Sequence, residues 1–188
     1  MPSPAKKGAE RPGLPGVGLA LALSLSVASC VRSKIVEDPV GVTPGSVTPV
    51  LSKEVAFAFD SLDGRPVTSM AARGKIAVLA LVTTWDLTSH AQVNYVNAMV
   101  AHDGDRVFYA VIAVQERSSR ELVEAYARSL KVTCPVALVE PRDLEERGTF
   151  GQIRQVPTVV VLDRNGRVAW MRTGLAKSDE IRAAMSSM

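Results

Sequence analysis

The residue types that could carry chemistry gather where one apolar run of the sequence ends. Ile76–Val82 is apolar and partly β-branched, which predicts a strand buried on both faces. Trp85 follows this run, and a helical segment begins at Asp86 with Ser89 in its first turn. Ligands and reactive groups of open α/β sheets gather beyond the carboxyl end of such a strand. We predict that Asp86 caps the helix, which stabilises by about 1 kcal/mol relative to alanine, or that it contacts a ligand or partner.

The cysteines are the other candidates for reactivity, and Cys134 is the one within the folded part of the chain. It begins an apolar run that continues to Leu138, and it has no basic neighbour in the sequence more favourable than Lys131. This pattern predicts a buried, inert thiol, because unpaired cysteines are among the most buried residues. The alternative is that Cys134 serves an atypical oxidoreductase or a peroxidase, although neither motif surrounds it.

The chain offers little to a metal, a cofactor or a nucleic acid. His90 lies one helical turn after Asp86, and His102 is the only other histidine. Without cysteine ligands these side chains make a poor metal site, so we predict no metal and no cofactor. The lysines and arginines form no stripe interleaved with aromatic residues, which argues against nucleic-acid binding.

The segments around these residues alternate between strands and helices. Asp63-Gly64 predicts a hairpin turn between two short strands, and Arg106–Val114 is typical of a second buried strand. Leu144–Phe150 predicts a short helix, Asn165-Gly166 a type I′ turn between the last two strands, and Ser178 the cap of a final helix. The order predicts an α/β fold whose mixed sheet is covered by helices on both faces.

Two stretches of the sequence match one known pattern. Gly74, Lys75, Thr84 and Trp85 fit the pattern Gly-Lys, hydrophobic strand, Ala/Thr-Thr-Trp-Cys-x-x-Cys, and residues 151–168 fit a second part with Val-Pro-Thr, a strand and Asp-x-x-Gly. From about residue 55 to 185 the chain therefore resembles the thioredoxin-like envelope oxidoreductases of the TlpA/ResA (redoxin) type. The resemblance implies a thioredoxin-like fold.

The resemblance also identifies what this chain lacks. Asp86 and Ser89 stand at the two positions that carry cysteine in the family. Neither side chain can attack a disulfide usefully, so we predict no catalytic residue and no dithiol exchange. By the same resemblance Pro157 is a cis-proline, and Val156 presents its backbone to an extended peptide in a groove bordered by Trp85, Asp86 and Pro157.

The first 29 residues resemble the export signal of a bacterial lipoprotein. A basic start precedes the apolar segment Val17–Ala28, which is too short to span a bilayer comfortably. Val27-Ala28-Ser29-Cys30 resembles a lipobox, which implies cleavage before Cys30 and lipidation of its sulfur. Residues 30–54, with frequent proline and glycine, are then a lipidated start and a flexible linker, and residues 55–188 are the thioredoxin-like domain.

Together these features predict a protein of the bacterial cell envelope. The chain has 22 basic and 19 acidic residues, and the charges nearly balance once the signal is removed. We predict a lipid-anchored monomer, facing the periplasm or the outer membrane, that binds a peptide or an envelope partner without redox chemistry. The alternative is a thiol-disulfide oxidoreductase or a peroxiredoxin-like antioxidant enzyme that uses Cys134.

Overall fold

The described part of the chain forms seven strands and five α-helices, together with two short 3-10 helices. A computed structural model describes residues 54–151 and 153–188, so the predicted export signal, Cys30 and nearly all of the predicted linker lie outside the described residues. The elements in chain order are β1 (Ala58–Ser61), β2 (Val67–Thr68), α1 (Ser69–Ala72), β3 (Ile76–Val82), α2 (Leu87–Asp103), β4 (Val107–Val114), α3 (Arg120–Ser129), β5 (Val136–Val139), α4 (Pro141–Arg147), β6 (Thr158–Leu162), β7 (Val168–Thr173) and α5 (Ser178–Ser186).

The strands form one mixed sheet in the order β2-β1-β5-β4-β3-β6-β7. Strand β4 is parallel to both β3 and β5, while β6 and β7 join the other edge as an antiparallel hairpin. The hairpin of β1 and β2, which surrounds the predicted turn at Asp63-Gly64, adds antiparallel strands at the opposite edge. The predicted α/β class and mixed sheet are confirmed.

Strand β3 lies inside the sheet, and its residues alternate between two cores. All seven of its side chains are buried, as the apolar run predicts. Leu79 and Leu81 pack in one cluster, to which α1 contributes Ala72 and α4 contributes Leu144. The opposite face of the sheet packs against α2, α3 and α5. Its cluster includes Val78, Ala80, Val96, Tyr126 and Ile181. Helices therefore cover both faces of the sheet.

Helix α4 begins earlier than the sequence pattern indicates. The sequence pattern predicts a helix over Leu144–Phe150, but the helix spans Pro141–Arg147. Pro141 is in the first helical turn, where its missing N–H costs nothing and its fixed φ suits the helix. Gly148 then ends the helix with a left-handed backbone at φ 54°.

The turn between β6 and β7 is also different from the predicted type I′. That turn requires positive φ at both Asn165 and Gly166, but only the glycine has one, at 74°. The Asp163 carboxylate accepts hydrogen bonds from the backbone N–H groups of Asn165 and Arg167 at 2.8 and 2.9 Å. These bonds stabilise a wider loop, so the hairpin is confirmed and its turn type is wrong.

The final helix begins one residue away from the predicted cap. Ser178 is the first helical residue of α5, and Lys177 is the capping position. The Lys177 backbone N–H donates to the Glu180 carboxylate at 2.9 Å, which satisfies the group without a serine side chain. Among the described helices, none has the length and apolar content needed to cross a bilayer.

Candidate functional site

Asp86 caps helix α2 directly after the central strand. Its Oδ1 accepts a hydrogen bond from the Thr88 backbone N–H at 3.2 Å, and its Oδ2 accepts one from the Ser89 N–H at 2.8 Å. Burial acts to raise the pKa of Asp86, but the hydrogen bonds from Ser89 and Thr88 outweigh it, so the pKa lies below its ordinary value. The predicted cap is confirmed, and the group is a carboxylate at neutral pH.

Ser89 is fully buried one turn into the helix, and both roles of its hydroxyl are occupied. The hydroxyl donates to Asp86 Oδ2 at 2.9 Å and accepts from the Thr83 backbone N–H at 3.2 Å. The group that accepts its hydrogen is a carboxylate with a lowered pKa, which is a weak base and activates the oxygen little as a nucleophile. The serine therefore ties the end of β3 to the first turn of α2.

His90 does not join Asp86, although the two residues are one helical turn apart. Its Nε2 is 2.9 Å from the Thr84 carbonyl oxygen, so this nitrogen carries the hydrogen. The ring centroid lies 5.0 Å from that of Tyr126. Within residues 54–151 and 153–188, no group of three or more His, Cys, Asp and Glu side chains is arranged to hold a metal ion.

Two large apolar side chains flank Asp86 and face solvent. Trp85 is 71% exposed and Leu87 is 81% exposed. By contrast, the residues of β3 that precede them are buried without exception. Two exposed apolar side chains therefore lie beside the start of α2.

Pro157 ends the loop that leads into β6. The Val156–Pro157 peptide bond is cis, and the Pro157 carbonyl accepts a hydrogen bond from the Gly174 N–H at 2.8 Å. Val156 is half-buried against the core of the sheet. Among the hydrogen bonds within the described part of the chain, none involves the backbone N–H or C=O of Val156. Val156, which lies in a bend directly before the proline, is therefore left without a backbone partner within the described residues.

The structure brings two of the four predicted binding residues to one cavity. Trp85 and Val156 both line a cavity of about 360 Å³, while Asp86 and Pro157 lie next to them in the chain but are not part of its lining. A depression therefore lies on the side of the indole, lined by both Trp85 and Val156.

The same cavity contains two polar residues that sequence reasoning missed. Thr83 and Gln115 are buried and line its wall, and the Gln115 Oε1 accepts from the Thr84 backbone N–H at 2.8 Å. Gln115 Nε2 and Thr83 Oγ1 have no hydrogen-bond partner within the described part of the chain. A buried polar group without a partner costs about 1–3 kcal/mol. The one available signal was a glutamine directly after the buried strand β4, at the carboxyl ends of the parallel strands, where Asp86 also lies.

Cys134 lies away from this cavity and inside the protein. It is 4% exposed, belongs to the core on the α2 side of the sheet, and forms no disulfide. Burial raises the pKa of its thiol to about 12, although the charge of Arg65 acts in the opposite direction. Arg65 instead donates hydrogen bonds to the Thr133 and Cys134 carbonyl oxygens at 2.6 and 2.7 Å. The predicted burial is confirmed, and a thiol this protonated is a poor nucleophile.

Solved structures with the same fold are thiol-disulfide exchange proteins. A DsbF homologue from Corynebacterium diphtheriae is 16% identical, covers 79% of this chain and 95% of its own, and has a TM-score of 0.68. A thioredoxin-family thiol:disulfide interchange protein from Chlorobium tepidum is 20% identical over 71% of this chain and 93% of its own, with a TM-score of 0.62. A secreted Mycobacterium tuberculosis disulfide oxidoreductase is 17% identical over 70% and 96%, with a TM-score of 0.57.

The comparisons at the level of sequence find nothing. No protein-family model matches this chain, and no curated protein matches it. The similarity to solved structures, all with lower identity than 25% in the cases above, therefore concerns the backbone. This chain has the thioredoxin-like fold of the thiol-disulfide oxidoreductases, with Asp86 and Ser89 in the first turn of the helix that follows the central strand.

Proposed function

We propose that this chain is a lipid-anchored, thioredoxin-like protein of the bacterial envelope that binds an extended peptide segment of a partner and carries out no dithiol exchange. The observation that carries the proposal is the backbone of Val156, which lacks a hydrogen-bond partner within the described part of the chain and lies directly before Pro157 and strand β6. Unpaired backbone beside a sheet accepts an added strand by main-chain hydrogen bonds. Such binding needs no sulfur.

The surface beside Val156 suits a peptide that has apolar side chains. Trp85 and Leu87 are more than two thirds exposed, and Trp85 shares a cavity with Val156. A bound strand would cover apolar surface of the indole, which favours binding by about 25 cal/mol per Å² removed from water. Exposed aromatic side chains at a depression are the residues that most often dominate binding energy.

The first turn of α2 supports binding over exchange. The helix end that lowers a thiol pKa in an oxidoreductase stabilises the Asp86 carboxylate in this chain. Ser89 is buried with its hydroxyl already bonded to Asp86 and Thr83. Both steps of disulfide exchange lack a reagent at this position.

Anchoring through Cys30 is part of the same proposal and rests on the lipobox-like sequence. Two or more acyl chains hold a protein on a bilayer firmly, since each buried methylene contributes about 0.8 kcal/mol. The Mycobacterium tuberculosis disulfide oxidoreductase with a similar fold is described as secreted, which agrees with a location outside the cytoplasm. The test is metabolic labelling with a radioactive fatty acid. Label on the wild type and none on a Cys30→Ser variant is the expected result.

Peptide binding is tested with the full-length chain and a library of extended peptides. We expect binding in the micromolar range, because strand addition plus one or two apolar side chains gives a modest interface. Trp85→Ala should weaken it at least about tenfold, as removal of a central aromatic contact does. Leu122→Ala is the matched control, since Leu122 is an exposed apolar residue on α3 that is not part of the cavity. Equal losses of peptide affinity in the two variants would show that the peptide does not bind beside Trp85.

The second candidate function is disulfide exchange through Cys134, which the oxidoreductase relatives favour. Burial and the raised pKa of the thiol argue against it. Insulin-disulfide reduction separates the two functions. The binding proposal predicts no turnover by the wild type. Turnover that disappears in a Cys134→Ser variant would establish the enzyme instead.

A further inference from the structure

The chain enters the domain at the end of the sheet opposite to Trp85. The Val55 backbone N–H donates to the Gly166 carbonyl at 2.9 Å, and Glu54 forms an antiparallel bridge with Arg167. This contact is made with the loop between β6 and β7, which lies beside the start of β3 because β6 is antiparallel to β3. The seven residues of β3 separate the loop from Trp85, which corresponds to about 20 Å at 3.3 Å per residue.

Basic side chains gather at the end of the sheet where the chain enters. Five of them are exposed on segments that border one another, because the first residues of β3 and β4 pair in parallel and the Gly74 N–H donates to the Arg164 carbonyl at 3.2 Å. Together they form one surface, the basic end of the domain. Its cations are Arg73, Lys75, Arg106, Arg164 and Arg167.

The positive charge of the basic end is only partly balanced. The acidic side chains on the same segments are Glu54, Asp105 and Asp163. Of these, the Asp163 carboxylate is occupied by two backbone N–H groups of its own loop. In the part of the chain that the structure describes, Lys75, Arg164 and Arg167 have no ion-pair partner, and the other two cations have ion pairs only at 4.0 and 3.9 Å. Exposed pairs of that length contribute little, so the surface stays positive.

The shape of the basic end restricts the partner. The cations stand on the exposed ends of several strands and loops and do not converge on one enclosed pocket, so they suit an extended array of negative groups more than a single small anion. The headgroups of an anionic bilayer are such an array, and basic residues near its surface are attracted to it.

We infer that the basic end docks on a bilayer that contains anionic phospholipids; the inference rests on the lipid anchor of the proposed function. Residues 30–53 connect the predicted lipidation site to Glu54, so the anchor is attached at the same end as the cations. A lipid anchor and a basic patch together hold a protein on a membrane more firmly than either does alone. Docking in this orientation turns Trp85 away from the bilayer, toward a partner in the aqueous compartment.

The first test measures how fast a water-soluble acetylating reagent modifies Lys75 in the processed chain reconstituted in vesicles. Lys177 is the internal reference, because it is exposed and follows Gly174, which bonds to Pro157 at the other end of the sheet. We expect Lys75 to react at least about threefold more slowly in mixed phosphatidylglycerol and phosphatidylcholine than in phosphatidylcholine alone, with Lys177 unchanged. High salt should remove the difference, because it screens the attraction.

A charge variant separates docking from mere closeness to the anchor. Arg164→Gln/Arg167→Gln should restore the Lys75 rate in phosphatidylglycerol. The matched control is Arg120→Gln/Arg142→Gln, which removes the same charge from the first turns of α3 and α4 and should keep the protection. Equal Lys75 rates in the two kinds of vesicle, or protection that persists in Arg164→Gln/Arg167→Gln, would overturn the inference.

The second test applies if the processed chain carries no fatty acid, which would refute the anchor but not the basic end. Flotation of this chain with the same vesicles then measures its affinity directly. We expect binding to phosphatidylglycerol that weakens about 25-fold in Arg164→Gln/Arg167→Gln, at about fivefold for each charge. No preference for phosphatidylglycerol would overturn the inference. Protection of Lys75 by soluble polyglutamate and not by vesicles would also overturn it, and would indicate an acidic protein partner instead.

Discussion

The Ser89 hydroxyl donates a hydrogen bond to the Asp86 carboxylate across 2.9 Å, and the Ser89 backbone N–H donates to the same oxygen across 2.8 Å. These two residues stand at the positions where the TlpA/ResA pattern carries its cysteine pair. In this chain they form a closed capping unit, whose carboxylate is satisfied by the helix it begins. The chain therefore has a hydrogen-bonded helix cap at the two positions where that pattern carries cysteine.

Removal of the carboxylate should loosen the start of α2. We expect Asp86→Ala to lower the free energy of unfolding by about 1 kcal/mol, because two backbone N–H groups lose their acceptor. Urea unfolding followed by circular dichroism measures this change. Asp179→Ala is the matched control, since Asp179 is exposed in the first turn of α5 and does not occupy the capping position. A loss equal in the two variants would mean that helix-dipole charge, and not capping, explains the effect.

The fold should support disulfide exchange when cysteines are introduced at positions 86 and 89. In the Asp86→Cys/Ser89→Cys double variant the first thiol lies at the amino end of α2, which lowers its pKa. We expect insulin-disulfide reduction by the double variant and none by the wild type. Asp86→Cys alone is the control, because it can form a mixed disulfide but lacks the thiol that resolves it. A double variant that folds and forms its disulfide but does not reduce insulin would show that the groove no longer accepts a disulfide substrate.

The sequence predicted the sheet well because its signals are local. Ile76–Val82 is apolar at every position, and the Asp63-Gly64 turn lies between the strands that it predicts. Boundaries that depend on one residue were less accurate. The predicted helix starts at Leu144, although Pro141 begins α4, because proline is as compatible with the first turn of a helix as with a loop.

Local sequence patterns predicted the site only where its contacts are short in sequence, whereas the placement of Trp85 near Val156 came from the resemblance. The cap at Asp86 uses donors two and three residues away, so the pattern contains it. Gln115 meets the Thr84 N–H across 31 positions, and Arg65 reaches the Cys134 carbonyl across 69. Contacts of this range depend on which strands become neighbours, and no periodicity of a single sequence encodes the pairing of two particular side chains.

Cys134 should react slowly with alkylating reagents in the folded protein. Its thiol is buried and has a pKa of about 12, so little thiolate exists at pH 8 and little of that is accessible. We expect the iodoacetamide rate in a Cys30→Ser background to be at least about a hundredfold below that in denaturant, since reaction requires opening of the core. Mass spectrometry follows the modification. A rate near that of a free peptide thiol would contradict the buried placement.

The ionisation of Asp103 should make the stability of the fold depend on pH in the acid range. It joins α2 to β4 and α5, because its carboxylate accepts hydrogen bonds from Tyr109, His102 and Arg182. Burial acts to raise the pKa of Asp103, but these partners lower it to about 2. A carboxyl group whose pKa is lowered on folding stabilises the fold at pH values above its pKa in the unfolded chain, which is near 4. This stabilisation is lost as the pH falls toward 2.

The measurement for Asp103 is the free energy of unfolding in urea between pH 6 and pH 2. We expect the wild type to lose about 2 kcal/mol more over this range than Asp103→Asn, which cannot titrate. Asp105→Asn is the control, because Asp105 is exposed two residues away and should leave the pH dependence of the wild type unchanged. Parallel pH curves for the wild type and Asp103→Asn would contradict this assignment.

Gln92 should make the docking of the segment before α5 sensitive to pH once it is made acidic. Its buried amide donates to the Ala176 carbonyl at 3.1 Å and accepts from the Ala176 N–H at 2.8 Å. In Gln92→Glu only the protonated carboxyl can donate to that carbonyl, so the folded-state pKa should lie above the unfolded value near 4.3. The variant should therefore approach wild-type stability at pH 4 and lose this stability as the pH rises.

The control is Gln92→Leu, which should be destabilised by about 2–4 kcal/mol at both pH 4 and pH 8, because two buried backbone groups lose their partner at any pH. Urea unfolding at pH 4 and pH 8 measures both variants, and equal pH dependence in the two would show that Gln92 does not hold Ala176 through these bonds.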